Sequence, residues 1–257
     1  MDYLLICATA FLASGLTFFS GFGLGTLLVP VFALFFPIDI AIALTAVVHF
    51  LNNLFKLTLV GRHARFPVVL KFGLPSIVAA FAGAALLAII AEWEPLASYT
   101  LGDRLFYIMP VKLIVALLII FFSLFDLVPQ LMKLSFNPKY LPVGGLLSGF
   151  FGGLSGNQGA LRSAFLIKAG LAKEAFIATG VVIACMIDVT RISVYAKLIF
   201  SGEQSINYTL LAAATLAAFA GALLGNALLK KVTIQALQMI VAIMLILVAL
   251  GLATGLI

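Results

Sequence analysis

Six stretches of the chain, about 38–60, 66–91, 107–129, 174–199, 207–229 and 233–256, are almost continuously apolar. Each is near or above the roughly 20 residues that a helix needs to cross the hydrocarbon core of a bilayer. Backbone exposed to lipid must satisfy its own hydrogen bonds, which leaves helices and closed barrels. Barrel strands alternate apolar and polar residues, and these runs do not. The expected fold is therefore an all-α polytopic membrane protein. Composition closes the alternatives. The 257 residues are 64% apolar or aromatic and only 9% charged, whereas a soluble domain carries about 25% charged residues. Such a chain cannot cover a water-facing surface, so a soluble enzyme, a nucleic-acid binder, a disordered protein and a disulfide scaffold are excluded. The net charge of +6 does not call for nucleic acid, because Lys and Arg are expected in cytoplasmic loops. Cys7 and Cys185 both fall inside apolar runs and read as packing residues. No Lys or Arg precedes the first apolar run, so no cleaved signal peptide is expected.

Two further apolar regions, 3–36 and 141–170, are too long for one simple span and are interrupted by Gly and small polar residues. The first break is Ser20-Gly21-Phe22-Gly23-Leu24-Gly25, and the second runs from Gly152 to Gly159 through Ser155, Asn157 and Gln158. Glycine permits sharp backbone turns, and irregular backbone at membrane depth survives only inside protein or beside a water-filled cavity. Each region is read as a broken helical hairpin. The plainer reading is a kinked span with Gly used for close helix packing.

Loop charges set the orientation. Arg62 and Arg65, Lys133 and Lys139, Lys168 and Lys173, and Lys230-Lys231 fall on one side when crossings alternate, and that side is cytoplasmic. Asp39, Glu92, Glu94, Asp103, Arg104 and Glu203 fall on the other, with both termini. The expected location is the bacterial inner (plasma) membrane, multi-pass.

The chain also repeats itself. Ser14-Gly15 matches Ser148-Gly149, Gly25 matches Gly159, and Thr45 to Val48 matches Thr179 to Val182, all 134 residues apart. Ala79 to Ala84 recurs without change as Ala217 to Ala222, 138 residues on, with a short insertion near Gly202-Glu203. The first membrane repeat is then 1–130 (hairpin 3–36, spans 38–60, 66–91 and 107–129). The second is 141–257 (hairpin 141–170, spans 174–199, 207–229 and 233–256). One hairpin starts outside and the other inside, so the two repeats are inverted. Inverted repeats with discontinuous helices meeting near the midplane are a recurring transporter architecture.

The first break continues as Gly21-Phe22-Gly23-Leu24-Gly25-Thr26-Leu27-Leu28-Val29-Pro30, with Thr45 in the next span. A Gly-rich break running into Leu-Leu-Val-Pro, duplicated in one chain of this size, resembles the TauE/SafE sulfite exporter family over essentially the whole length. The second copy departs from it and reads Leu154-Ser155-Gly156-Asn157-Gln158-Gly159-Ala160-Leu161-Arg162. The resemblance implies a carrier of sulfite, sulfonates or related sulfur-containing anions, mostly outward.

Charge at membrane depth costs about 2.5–3.5 kcal/mol or more and marks functional suspects. Arg162 follows the second break by three residues, in the first turn of a half-helix, where free N–H groups and its own fork of donors suit an oxyanion. The alternative is an Arg that snorkels to the interface. Asn157 and Gln158 can donate to an anion or cap exposed backbone. Ser20 and Thr26 frame the first break in the same two senses. His49, Asn52, Asn53 and Lys56 form a polar stripe at three- and four-residue spacing. This stripe is read as pathway lining, with His49 a candidate proton carrier. Lys56, near the cytoplasmic end, is expected to snorkel. Asp188 and Arg191 share one face of the repeat-related span. Either they neutralise each other, or Arg191 binds the anion while Asp188 orients it or carries a proton. Their repeat counterparts are Leu54 and Leu57. Lys112 and Asp126 lie near span ends, and Trp93 and Tyr99 read as interfacial anchors.

The expected function is a secondary transporter exporting a small sulfur-containing anion by alternating access. Its substrate contacts would come from Arg162, Gln158, Asn157, Thr26, Asn52, His49 and Arg191, with Asp188 and His49 as a charge or coupling pair. No metal, cofactor or catalytic residue is expected. The partners would be a small anion and the bilayer, without nucleic acid, and a homodimer is left open. The competing readings are a channel or permease for another anion or a cation, and an intramembrane lipid-phosphate enzyme. Neither break holds the Asp or Glu that such an enzyme would need, and no Gly-x-x-x-x-Gly-Lys-Ser/Thr loop is present.

Overall fold

A computed structural model describes residues 2–16, 18, 24–200, 207–228 and 234–256. Helix α1 covers Asp2–Leu16, α2 Leu24–Ala33, α3 Ile38–Val60 and α4 Phe66–Ala91. Strands β1 (Ala97–Leu101) and β2 (Arg104–Ile108) follow, then α5 (Pro110–Leu127) and the short α6 (Pro129–Met132). The rest is α7 (Leu141–Ser155), α8 (Gly159–Leu166), α9 (Lys173–Phe200), α10 (Tyr208–Leu228) and α11 (Ile234–Thr254). Among the described residues, four segments are long and apolar enough to cross a membrane: Ile38–His63, Phe66–Ala91, Lys173–Ala196 and Tyr208–Ala227. With the shorter apolar helices around them, the protein is a mostly helical, multi-pass membrane protein.

The expectation of an all-α chain fails at 97–108. There β1 and β2 pair antiparallel, from Ala97 opposite Ile108 to Leu101 opposite Arg104. The local sequence explains it. Tyr, Thr, Phe and Ile favour strands, and Gly102 (φ 60°) supplies the turn. The span expected at 107–129 accordingly starts later, at Pro110, whose missing N–H costs nothing in a first helical turn. Tyr99 stacks on Phe106 with centroids 5.5 Å apart. Its hydroxyl donates to the Thr254 carbonyl at 2.8 Å. The ring read as an interfacial anchor therefore ties the hairpin to the end of α11. Trp93 is 52% exposed.

Helices pair across the two halves of the sequence: α4 with α7, α1 with α10, α3 with α9, and α5 with α11. The α4–α7 pair is backbone against backbone. Gly145, Gly149 and Gly153 form one stripe of α7. A Cβ at each would fall on the carbonyl oxygen of Phe72, Ser76 and Ala80 in turn. Small residues at this spacing let helices approach closely in lipid, where no hydrophobic force drives them together. On the other pair, a Cβ at Gly221 would meet the Phe11 carbonyl, and one at Gly225 the Gly15 carbonyl. The repeated Ala-Ala-Phe-Ala-Gly-Ala is thus a contact surface in both copies, with Gly83 against Phe150 and Gly221 against Phe11.

The second broken region is a hairpin. Gly156 adopts φ 80° and turns the chain, and α8 doubles back along α7. A Cβ on Gly144, near the start of α7, would strike the Phe165 ring near the end of α8. Phe136 stacks on that ring at 4.2 Å and its N–H donates to the Ala164 carbonyl at 3.2 Å. Both ends of 141–166 therefore lie on one side of the molecule, with Ser155 to Gly159 at the deep tip. In the first region α1 packs on α2, while Ser20 and Gly21 to Gly23 of its break lie outside the described residues, as do Gly202-Glu203 and Lys230-Lys231. Gly25 opens α2 against the other tip: its Cβ would come within 3.2 Å of the Gly156 carbonyl oxygen. Cys7 and Cys185 are free thiols.

Candidate functional site

The two central helices α3 and α9 carry the charged groups to the same depth as the hairpin tip. His49 stands midway along α3. Asp188 and Arg191 stand one turn apart on α9, and all three are buried. Asp188 is the hub. Its Oδ1 accepts from Arg191 Nε at 3.0 Å and from Gln158 Nε2 at 3.1 Å, and it is ion-paired with Arg191 Nη2 at 2.8 Å. Its Oδ2 lies 2.6 Å from His49 Nδ1 and accepts from Asn53 Nδ2 at 3.3 Å. A carboxylate held by this many donors has no proton to give, so Nδ1 of His49 carries the hydrogen. The Asn53 Nδ2 lies beside the ring, 3.1 Å from Nδ1 and 3.4 Å from Nε2. With its proton on Nδ1 the imidazole donates to the carboxylate and keeps Nε2 as its acceptor.

The hairpin tip reaches this hub through Gln158. Its Oε1 accepts from Arg162 Nη1 at 3.0 Å, so Arg162, Gln158, Asp188 and Arg191 form one relay. The tip is held rigid around them. Ser148 donates to the Gln158 carbonyl at 2.8 Å, and Arg191 Nη1 reaches the Gly152 carbonyl at 3.4 Å. The hydroxyl of Tyr195, fully buried, donates to the Gly153 carbonyl. Arg162 packs over Gly180 of α9, where a Cβ would lie 3.5 Å from its Nε. It is 3% exposed, so it does not snorkel.

The expected site residues do not all converge. His49, Gln158, Arg162, Asp188 and Arg191 share the network. Asn157 turns back into the tip and donates to Ser155 Oγ at 3.2 Å, which is capping, although its Oδ1 has no partner among the described residues. Asn52 faces α1, where its Oδ1 accepts from Ser14 at 3.1 Å. Thr26 is half-buried in the first turn of α2 and joins none of these bonds. Asn53, which the polar stripe included, proves to be a direct partner of the carboxylate. Lys56 corrects the expectation of snorkelling. It is only 5% exposed, and its ammonium sits 5.4 Å from the Phe18 ring centroid. Ser148 and Tyr195 carried no functional signal in the sequence, since a lone hydroxyl in an apolar helix reads as packing.

Chemically, the arrangement presents guanidinium and amide donors at the middle of an apolar bundle. Among the described residues no group of three or more metal-ligating side chains is assembled. Searches of curated proteins and of solved structures found no match. The model of the family described as sulfite exporter TauE/SafE matches residues 6–252. That covers both glycine-rich breaks, the donor network and nearly the whole chain, which belongs to the TauE/SafE family of sulfite exporters.

Proposed function

We propose that the protein is a secondary transporter that exports a small sulfur-containing anion, sulfite or an organosulfonate, by alternating access. One observation carries the reading: a net-cationic network at mid-depth joins donors from α3, α8 and α9. Fixed charge inside a bilayer costs about 2.5–3.5 kcal/mol per group by insertion scales. The cationic excess is stabilised when an anion occupies the site. Arg162, Arg191 and Gln158 are the groups assigned to the anion, with Asp188 as the resident counter-charge that the cargo displaces in part.

The two halves are taken as inverted repeats. Supporting this, the helix pairing is unchanged when the halves are exchanged: α4 with α7 answers α10 with α1, and α3–α9 and α5–α11 answer themselves. The contact of Gly25 with Gly156 supports a site shared by two hairpin tips. The loop charges support an inner-membrane protein with both termini outside. The reading invokes no cofactor.

The test is counterflow of labelled sulfite in proteoliposomes. Wild-type protein should exchange it. Arg162→Gln and Arg191→Gln should each lower the rate at least tenfold, the loss expected for one charge-assisted contact. Undiminished exchange by both variants would reject the site, and no exchange of any sulfur anion by wild type would reject the function.

A further inference from the structure

His49 has one ring nitrogen committed and one open. Nδ1 donates to Asp188 Oδ2 at 2.6 Å. Asn53 Nδ2 stands 3.1 Å from Nδ1 and 3.4 Å from Nε2. A donor set on the Nε2 lone pair would be much farther from Nδ1 than from Nε2, so the Asn53 amide does not occupy that lone pair. The ring edge beside Nε2 faces the junction of the two glycine-rich regions. A Cβ on Gly25 would lie 3.8 Å from His49 Cδ2 and 3.2 Å from the Gly156 carbonyl oxygen. His49 is also the most exposed member of the network, at 8% against 0% for Asp188 and Arg191, 2% for Gln158 and 3% for Arg162. An imidazole nitrogen with an open lone pair, at the point where the network meets free space, is built to accept a proton.

The charged groups around this ring are few. Helix α9 brings Asp188 and Arg191, and α8 brings Arg162, which reaches Asp188 through Gln158. Cys185 of α9 packs with Phe50 and Leu57, and Lys56 of α3 lies over Phe18. Helix α2 has no titratable residue, and α10 has Tyr208 at its first position. Lys71 of α4 and Lys112 and Asp126 of α5 lie within two turns of their helix ends. Asp188 therefore serves the imidazole from Oδ2 and Arg191 from Oδ1. A proton added at Nε2 makes the imidazole a cation while Asp188 stays ionised. One carboxylate then answers two full positive charges, and the Arg191 guanidinium keeps less of its counter-charge. An anion arriving beside Arg191 is held more firmly in that state. By linkage the converse also holds, and a bound anion favours the proton on His49.

We propose that Nε2 of His49 is a proton-binding site coupled to the anion site, so that the anion and one proton are taken up together. The step moves a proton from water to Nε2. No other bond is made or broken, and Nδ1 keeps its hydrogen throughout. The proposal rests on the anion-transporter reading and adds a second ligand, the proton, to it. His49 is a positioning residue: its charge sets how firmly Asp188 holds the guanidinium of Arg191. Coupling between two ligands of this kind is worth about 5- to 150-fold in affinity.

The chain has two histidines, and His63 lies just after α3, outside the network. The experiment therefore uses the full-length His63→Gln protein in detergent with isotope-labelled histidine, so that the nitrogen NMR signals report His49 alone. The sample is titrated from about pH 5 to 8, the range of histidine, at constant ionic strength. The probes are sulfate and methanesulfonate, neither of which takes up a proton there. Thermal unfolding of the same samples reports binding, because a ligand of the folded state raises apparent stability. Nε2 should titrate while Nδ1 stays protonated, and a bound probe should tighten proton binding about 5- to 150-fold. Stabilisation by the probe should grow toward acid by the same factor in affinity. His49→Gln can still donate to Asp188 but takes no proton, so its stabilisation should stay at the wild-type alkaline level across the range. The coupling is overturned, and anion binding stands, if a stabilising probe leaves His49 titration unmoved or weakens proton binding, or if His49→Gln still binds more tightly toward acid. Stabilisation by neither probe at any pH rejects the anion reading and the coupling with it. If His49→Gln does not fold, the NMR titration decides.

Discussion

Asp188→Asn is the substitution with the sharpest consequence. The carboxylate takes three contacts on Oδ1 and two on Oδ2, between 2.6 and 3.3 Å. An amide in its place sets an NH2 against at least two donors, whichever way it is turned. It also removes the only counter-charge to Arg191 among the described residues. Breaking a buried ion pair from one side costs about 3–5 kcal/mol. At about 2–4 °C per kcal/mol for a chain of this size, the melting temperature should fall by roughly 6–20 °C. Arg191→Gln alone should also destabilise, because it strands the carboxylate. The double variant Asp188→Asn/Arg191→Gln should lose less than the two singles together, with a coupling of about 2–3 kcal/mol. Intrinsic fluorescence from Trp93, the single tryptophan, reports the unfolding in detergent. Sulfate should rescue Asp188→Asn by more degrees than it stabilises wild type, since the anion takes over the vacated role. Additive singles, or a fall of less than about 2 °C in Asp188→Asn, would refute the hub.

Three further outcomes follow from the packing and the charges. Gly149→Leu should destabilise by about 1–3 kcal/mol or prevent assembly, because even its Cβ overlaps the Ser76 carbonyl. Leu146→Phe, on the exposed face of the same helix, should leave the melting temperature unchanged. Tyr195→Phe strands the buried Gly153 carbonyl and should cost about 1–3 kcal/mol, read as a lower melting temperature. In a background with Cys7 and Cys185 replaced, Arg62→Cys should label with impermeant maleimide only in inside-out vesicles and Ser98→Cys only in right-side-out ones. The same side for both would overturn the orientation.

Some of this architecture is legible in the residues and some is not, for physical reasons. The spans from 38 to 91 read directly, because lipid leaves no alternative to a self-satisfied apolar helix. The charged groups at depth read too, since His49, Arg162, Asp188 and Arg191 are expensive wherever they sit. Their partners do not. His49 and Asp188 are 139 residues apart, and the internal repeat sets Asp188 against Leu54, so neither periodicity nor alignment pairs them. The hairpin at 97–108 escapes because its five-residue strands continue the apolar run into α5. Lys56 misleads for the opposite reason. Its place near the end of a span implies water, yet it is buried with its ammonium over the Phe18 ring. The identical Ala79–Ala84 and Ala217–Ala222 segments announce a repeat. Their use as helix contacts appears only when α7 and α1 lie against α4 and α10.

That crossed pairing governs when the protein can finish folding. Helix α4 emerges from synthesis with its carbonyl groove at Phe72, Ser76 and Ala80 unoccupied, and the glycines that fill it arrive with α7. Helix α1 waits longer still, for Gly221 and Gly225 of α10. Helices can enter the bilayer one after another, yet the first half cannot settle by itself, because its tightest neighbours are encoded last. Contacts between residues so far apart in the chain slow folding. The native assembly is therefore a late event, completed after nearly the whole chain is in the membrane, and the unmatched faces of α1 and α4 are the surfaces exposed to mispairing until then.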